Sequence, residues 1–254
     1  MTTDATPDPN TASQTWPQIR PVGVDGLLVS FADALDEAAN RAALALRDDI
    51  SRQNWPGVEE LSTSLVSTYI RFDVITTDRA VLYQALTDLL HSRDWTKQPP
   101  PQNRRLWRIP AVFGTDLAPQ LPQAAAAAGL SETEARAQLA AARVRVQAIG
   151  FAPGQPYLGQ LPEAWNIPRQ SQLTSQIPVG ALAVAIRQLV LFSVTTPTGW
   201  MHVGQTAVRL FQPDAENPFL LRAGDEVMFQ EVTPEQLTNM KTDPFGGATS
   251  EVLR

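Results

Sequence analysis

Side chains able to do chemistry at neutral pH are few in this chain. Its 254 residues include no cysteine and only two histidines, His91 and His202. That removes thiolate nucleophiles, disulfide frameworks and Cys-ligated metal centres in one step, and it fits a reducing compartment. A two-histidine metal site would have to join positions far apart in sequence. No H-E-x-x-H, G-x-S-x-G, P-loop or G-x-G-x-x-G signature occurs. Side chains suited to binding are also present. Tyr157 offers a phenol, and Arg169 offers a planar fork for a carboxylate or phosphate. Gln188 offers both a donor and an acceptor. Trp200 either floors a pocket or packs into a core, as aromatics after glycine turns do. His202 is a weak candidate acid–base group, against the plainer reading of a partly exposed strand histidine. No catalytic residue is assigned.

The elements that must position these residues are legible in outline. Hydrophobic residues make up 43% and charged residues 18%, which excludes a wholly disordered chain. The net charge of −6 gives no electrostatic footprint for nucleic acid, and no polybasic stretch suits a membrane surface. No run is apolar and long enough to span a bilayer, and the start of the chain lacks signal-peptide character. The length favours two domains.

A polar leader is expected over residues 1–15. Two strands surround a turn at residues 23–26, followed by a helix capped by Asp33 or Asp36. A second strand pair precedes a helix opened by Asp78, with Val81, Leu82, Ala85, Leu86, Leu89 and Leu90 on its apolar face. Pro99-Pro100-Pro101 reads as a stiff connector near a boundary. Ser131 and Glu134 form a capping box. From Gly150 onward short strands alternate with Gly and Pro, at residues 180–186, 189–194, 199–203, 207–211 and 226–232. The expected division is an N-terminal α+β domain over 16–103, a β-barrel domain over 104–235 and a flexible tail over 236–254. The fold class is α+β overall.

One series of motifs is more specific than generic barrel sequence. Gly150-Phe151-Ala152-Pro153-Gly154-Gln155-Pro156-Tyr157-Leu158-Gly159 follows a strand. Pro168-Arg169, Ile177-Pro178-Val179-Gly180, Pro197-Thr198-Gly199-Trp200, Gly204-Gln205-Thr206 and Leu220-Leu221-Arg222-Ala223-Gly224-Asp225 come after it in order. Upstream stand Gly26-Leu27-Leu28-Val29-Ser30-Phe31, Pro56-Gly57-Val58-Glu59 and Gly129-Leu130-Ser131.

This order resembles the family of 5-oxoprolinase B subunits, also known as allophanate hydrolase subunit 1 or as inhibitors of a sporulation histidine kinase (Kip inhibitor). The resemblance runs from about Ile19 to Val232 and marks a divergent member. It implies a carboxyltransferase-domain protein whose second domain is a cyclophilin-like barrel, a fold that does not itself imply prolyl isomerase activity. It further implies a cytoplasmic hetero-oligomer with a homologous barrel protein, the oxoprolinase C subunit or its like, and a third catalytic component. Such an assembly is a hydrolase that uses ATP to open a small-molecule lactam or amide. No cofactor is evident in this chain itself, and ATP belongs to the complex.

Under the resemblance, Tyr157, Arg169, Gln188 and Trp200 are the substrate-binding candidates. Gly150, Phe151, Pro153, Gly154, Pro178, Gly180, Gly199 and Gly204 shape the loops. Several family positions are changed. Leu139 stands where a histidine is usual, Val144 where a tyrosine is usual, and Gln155 where a loop phenylalanine is usual. Gln170, Thr174 and Gln205 stand in place of arginines, and Ile186-Arg187 replaces a Gly-Gly pair. Alkyl groups in place of Gly-Gly favour a continuous filled strand over residues 186–193. Arg187 is a new charge there, either solvated or restoring an anion site. These losses make a non-catalytic regulatory protein on the same scaffold the rival expectation.

Overall fold

The computed structural model describes residues 15–253. Apart from Thr15, the expected leader lies outside the described residues. The chain forms two compact units. The first holds the chain to Ser62 and Val66–Pro99; the second holds Thr63–Leu65 and everything from Pro100.

The first unit is a four-stranded sheet with two helices. Strands β1 (Gln18–Val22) and β2 (Gly26–Ser30) form an antiparallel hairpin. Helix α1 (Glu37–Gln53) follows, then β3 (Val58–Ser64), β4 (Ser67–Phe72) and α2 (Arg79–His91). The sheet order is β1-β2-β4-β3. Of the two expected caps for α1, Asp36 is the one used: its carboxylate accepts the Ala39 N–H at 2.8 Å. Ala39, Ala42, Ala43, Leu46 and Ile50 are buried, and the small residues let the helix approach the sheet. The Thr68 hydroxyl on β4 donates to the Ala43 carbonyl at 2.8 Å across that contact. On α2 the buried stripe is Leu82, Leu86 and Leu90, whereas Val81, expected on the same face, is exposed.

The second unit is a closed seven-stranded barrel. Its strands are β5 (Arg105–Phe113), β6 (Val144–Ile149), β7 (Pro156–Gly159), β9 (Ala181–Ala185), β10 (Gln188–Leu191), β12 (Met201–Thr206) and β13 (Glu226–Glu231). A ribbon of β8 (Thr174–Ile177) and β11 (Thr196–Thr198) lies outside the barrel sheet. Helices α3 (Leu121–Ala127), α4 (Glu132–Ala141) and α5 (Pro234–Asn239) and strand β14 (Thr249–Val252) complete it. The order β12-β9-β10-β7-β6-β13-β5 closes because β5 also pairs with β12. One edge of β5 is shared along its length: β14 takes residues 105–108 and β12 takes 111–113. Its other edge runs parallel to β13.

Strand alternation sorts the side chains. Trp107, Ile109, Val146, Leu158, Val184, Leu189, Val203, Val227 and Phe229 join one buried cluster fed by all seven barrel strands, so this is the barrel interior. Leu121 and Ala125 of α3 and Leu139 of α4 add to it. Their neighbours Ala183, Val190 and Phe192 point the other way and form a second cluster with Ile177 and Trp200.

Four expectations are corrected. The tail expected over 236–254 is structured within its described residues, because α5 runs into it and β14 zips antiparallel onto β5. Residues 207–211 are not a strand; Leu210 and Phe211 make local bonds with Leu220 and Phe219 instead. Residues 186–193 are not one continuous strand. Ile186 and Arg187 form the turn between β9 and β10, both at positive φ (44° and 61°). Such a turn suits Gly or Asn, but the pairing of Gln188 with Ala185 leaves only these two residues to reverse the chain, so their alkyl side chains cannot continue a strand. Strand β7 lies inside what reads as a Gly/Pro loop, since Pro156 sits at the strand's first residue, where it disturbs the ladder least.

Candidate functional site

The loop after β6 turns tightly before β7. Gly150 N–H donates to the Gln155 carbonyl at 3.0 Å and Gln155 N–H to the Ala152 carbonyl at 3.1 Å. Gly154 has φ +70°, and a Cβ there would stand 2.8 Å from the Leu210 carbonyl oxygen, so only glycine fits. This loop carries Phe151, whose ring is exposed, and Pro153, and it delivers Gln155 and Tyr157 to the outer face of the barrel.

There the structure brings Tyr157, Arg169 and Trp200 together. They line a cavity of about 280 Å³ with Phe151, Gln155 and Leu173, and Gly199 forms part of its wall. Trp200 is buried, and Tyr157 meets it edge-on with ring centroids 6.2 Å apart. The Arg169 guanidinium lies over the Trp200 ring at 5.3 Å, a cation–π contact. Among the described residues Arg169 makes no ion pair. The cavity therefore offers an apolar aromatic floor, a phenol, a neutral amide and an unneutralised guanidinium, which is chemistry for seating a small anion with a flat polar body.

The altered family positions have structural answers. Gln170 and Thr174 join Gln120 in a neutral network: Gln120 Nε2 donates to Gln170 Oε1 at 2.8 Å and lies 3.3 Å from the Thr174 hydroxyl. Gln170 Nε2 in turn donates to the Trp200 carbonyl at 3.0 Å and helps fix that ring. Gln120 was missed in the sequence; it precedes α3 by one residue and its partner is fifty positions away. Leu139 and Val144 are both buried in the apolar cluster that fills the barrel. Arg187 does not turn toward the cavity. It pairs with Glu163 at 2.7 Å and donates to the Leu161 carbonyl at 3.0 Å.

Two candidates lie elsewhere. Gln188 is buried, and its Nε2 donates to Gln147 Oε1 at 2.9 Å. Gly159 is the position that makes room for this pair: a Cβ there would stand 2.4 Å from Gln147 Oε1. His202 is 5% exposed and borders a different cavity. Burial, the largest influence, pushes its pKa below the usual 6.5, against the opposing pull of the neighbouring Gly204 backbone and Gln205 side chain. Pro178 borders that second cavity, and Gly180 (φ +78°) passes within 2.5 Å, at the Cβ position, of the Thr206 carbonyl oxygen. Gly204 lets β12 pass close to Phe113. Among the described residues no cluster of three or more His, Asp or Glu could hold a metal ion, and no helix is long and apolar enough to cross a membrane.

Comparison with known proteins gives these motifs a setting. The family model described as carboxyltransferase domain, subdomain C and D, matches residues 17–221. The 5-oxoprolinase B subunit of Bacillus subtilis (strain 168) is 30% identical over 224 residues, covering 85% of this chain and 93% of the relative. That of Escherichia coli O157:H7 is 38% identical over 125 residues, 49% of this chain and 57% of the relative. Among solved structures, TTHA0988 superposes with a TM-score of 0.69 at 30% identity over 85% of this chain, which spans only 40% of that longer one. The urea carboxylase of Kluyveromyces lactis shares the fold (TM-score 0.68, 18% identity), with 93% of this chain covering 24% of that protein.

Proposed function

Because this chain belongs to the carboxyltransferase-domain family of subdomains C and D, alongside the 5-oxoprolinase B subunits, we propose that it is one component of a 5-oxoprolinase-type hydrolase assembly. In this reading the assembly is ATP-dependent and cytoplasmic, and it opens a small lactam or amide, as in systems like allophanate hydrolase subunit 1. The chain acts with a homologous barrel partner of the oxoprolinase C type and a third catalytic component, and ATP is handled by the complex. The chain's own task is to seat the substrate.

The observation that carries this reading is the unpaired Arg169 guanidinium held over Trp200 beside Tyr157 at the mouth of a cavity of about 280 Å³. A substrate carboxylate would meet Arg169 through charge-assisted bonds, each worth on the order of 1.5–3 kcal/mol. A five-membered lactam ring would lie on the aromatic floor, with the Tyr157 hydroxyl and the Gln155 amide within the same wall. Gln188, enclosed with Gln147, serves the barrel rather than the substrate.

The test is reconstitution with the homologous barrel partner and the third component, followed by ATP-dependent turnover of 5-oxoproline. Arg169→Ala is expected to raise KM at least tenfold, with the assembly intact by size exclusion. Unchanged kcat/KM in that variant, or no association with any homologous barrel partner, would overturn the reading.

One observation favours a second reading, a non-catalytic regulatory module. Two positions usually cationic in the family, Gln170 and Thr174, here join Gln120 in a neutral hydrogen-bonded network. A native pull-down that returns a sensor kinase and no homologous barrel partner would select it.

A further inference from the structure

Arg169 stands on a segment, residues 168–173, that belongs to no helix or strand. Its side chain is exposed and makes no ion pair among the described residues, so its place over the Trp200 ring is set by the chain beside it. The next residue is the anchor. Gln170 N–H donates to the Gly199 carbonyl at 2.7 Å, and its side-chain Nε2 donates to the Trp200 carbonyl at 3.0 Å. Its Oε1 accepts from Gln120 Nε2 at 2.8 Å.

Gln120 closes a circuit. Its side-chain oxygen accepts the His202 N–H at 2.7 Å, and its own N–H donates to the His202 carbonyl at 3.0 Å. The bonds leave the chain at His202, pass through two side-chain amides and return to it at Trp200, two residues upstream. The two ends fix the direction of every bond between them. A backbone N–H only donates, so Gln120 turns its oxygen to His202 and its nitrogen to Gln170. A backbone carbonyl only accepts, so Gln170 turns its nitrogen to Trp200 and its oxygen to Gln120. Flipping either amide would set like groups against each other at both of its ends and lose both bonds. The Thr174 hydroxyl, 3.3 Å from Gln120 Nε2 and 3.4 Å from Gln170 Nε2, ties β8 to the same brace. All three side chains are neutral, so the brace holds the Arg169 segment without pairing the Arg169 charge.

We infer that Gln120 is a positioning residue for Arg169: acting through Gln170, it holds the segment so that the guanidinium stays over Trp200, where a ligand carboxylate would meet it. Its bearing on turnover rests on the substrate-seating reading of Arg169. Gln120 does not itself line the cavity. Its effect is on affinity, because a segment free to sample other positions presents a competent Arg169 only part of the time, and apparent affinity falls by that fraction. Substrate that does bind is turned over as before, so KM moves and kcat does not.

Two variants separate this role from plain support of the fold. Gln120→Glu keeps the side-chain length and an oxygen for the His202 N–H but has no N–H for Gln170. Gln120→Met removes both bonds and adds no charge. In the reconstituted assembly, intact by size exclusion, each is expected to raise the KM for 5-oxoproline about fivefold or more, with kcat within about twofold. Placed in a Gln170→Met background, Gln120→Met is expected to add less than about twofold, since its effect passes through Gln170. Nuclear magnetic resonance of the full chain supplies a readout that needs no substrate. The Arg169 Nε–H signal, identified by its loss in Arg169→Ala, feels the ring current of Trp200 and is expected to move toward the position of a solvated arginine in both Gln120 variants. An unmoved Arg169 signal would overturn the inference, as would fully independent effects of positions 120 and 170, or a fall in kcat at constant KM. A moved signal with kcat/KM unchanged in Arg169→Ala would overturn the substrate-seating reading and leave the hold of Gln120 on Arg169 standing, so the two can fail apart.

Discussion

Replacing Asp225 with alanine should be among the most damaging single changes to the barrel. Asp225 is 2% exposed and sits where the chain enters β13. Its carboxylate accepts the Arg105 backbone N–H at 2.9 Å and the Arg222 N–H at 3.0 Å, and it pairs with the Arg105 guanidinium at 2.5 and 3.1 Å. The Trp107 indole N–H points at it from 3.3 Å. One side chain thus ties the first residue of β5 to the start of its parallel neighbour β13, the pairing that completes the barrel on that side. Alanine would leave a largely buried guanidinium and two backbone donors without their acceptor. Breaking a buried pair by deleting one partner costs about 3–5 kcal/mol. Asparagine keeps the shape and one accepting oxygen but loses the charge, so its cost is about 1.5–3 kcal/mol. Against a typical total stability of about 5–15 kcal/mol, the alanine variant is marginal and the asparagine variant is folded. Urea unfolding followed by circular dichroism reads this as a midpoint lower by more than about 1 M for alanine. The exposed Arg136–Glu231 pair is the control: Glu231→Gln should cost less than about 1 kcal/mol. An Asp225→Ala loss no larger than that control would refute the argument.

Ile186 is a β-branched residue at φ 44° and is partly exposed, so Ile186→Asn should stabilise the β9–β10 turn by about 1 kcal/mol; a lower melting temperature would count against the turn strain. Gly159→Ala should cost about 2–4 kcal/mol, because the new methyl displaces Gln147 Oε1 and breaks its bond to Gln188. Adding Gln147→Ala should recover part of that loss, and strict additivity of the two in chemical denaturation would show they do not meet. The lowered pKa of His202 means that the unfolded chain binds more protons as acid is added, so stability rises with pH. This contribution is whole above pH 6.5 and declines as pH falls through 6.5 toward the folded-state value. A melting-temperature profile from pH 7.5 to 5 should therefore be flatter for His202→Gln than for the parent, and parallel profiles would exclude the effect.

The two-domain α+β plan, the helix caps at Asp36, Asp78 and Ser131, and the loops around Gly154 and Gly180 were all legible along the chain. Each rests on local physics: a short polar side chain beside orphan amides, or a backbone at positive φ that excludes a side chain. The ordered Gly/Pro motifs also carry the family, and Tyr157, Arg169 and Trp200 stand within them. Which of the candidates meet was a matter for the folded barrel. Gln188 and Tyr157 share adjacent strands of one sheet, yet the glutamine is enclosed with Gln147 while the phenol reaches the cavity. His202 and Trp200 are two residues apart and border different cavities. The tail found its place as β14 because β5 had an open edge at residues 105–108, a vacancy that no local pattern in residues 249–252 announces. Which buried polar atom finds a partner depends on contacts between residues far apart in the chain. Closure of the barrel sets those contacts, and spacing along the sequence does not encode them.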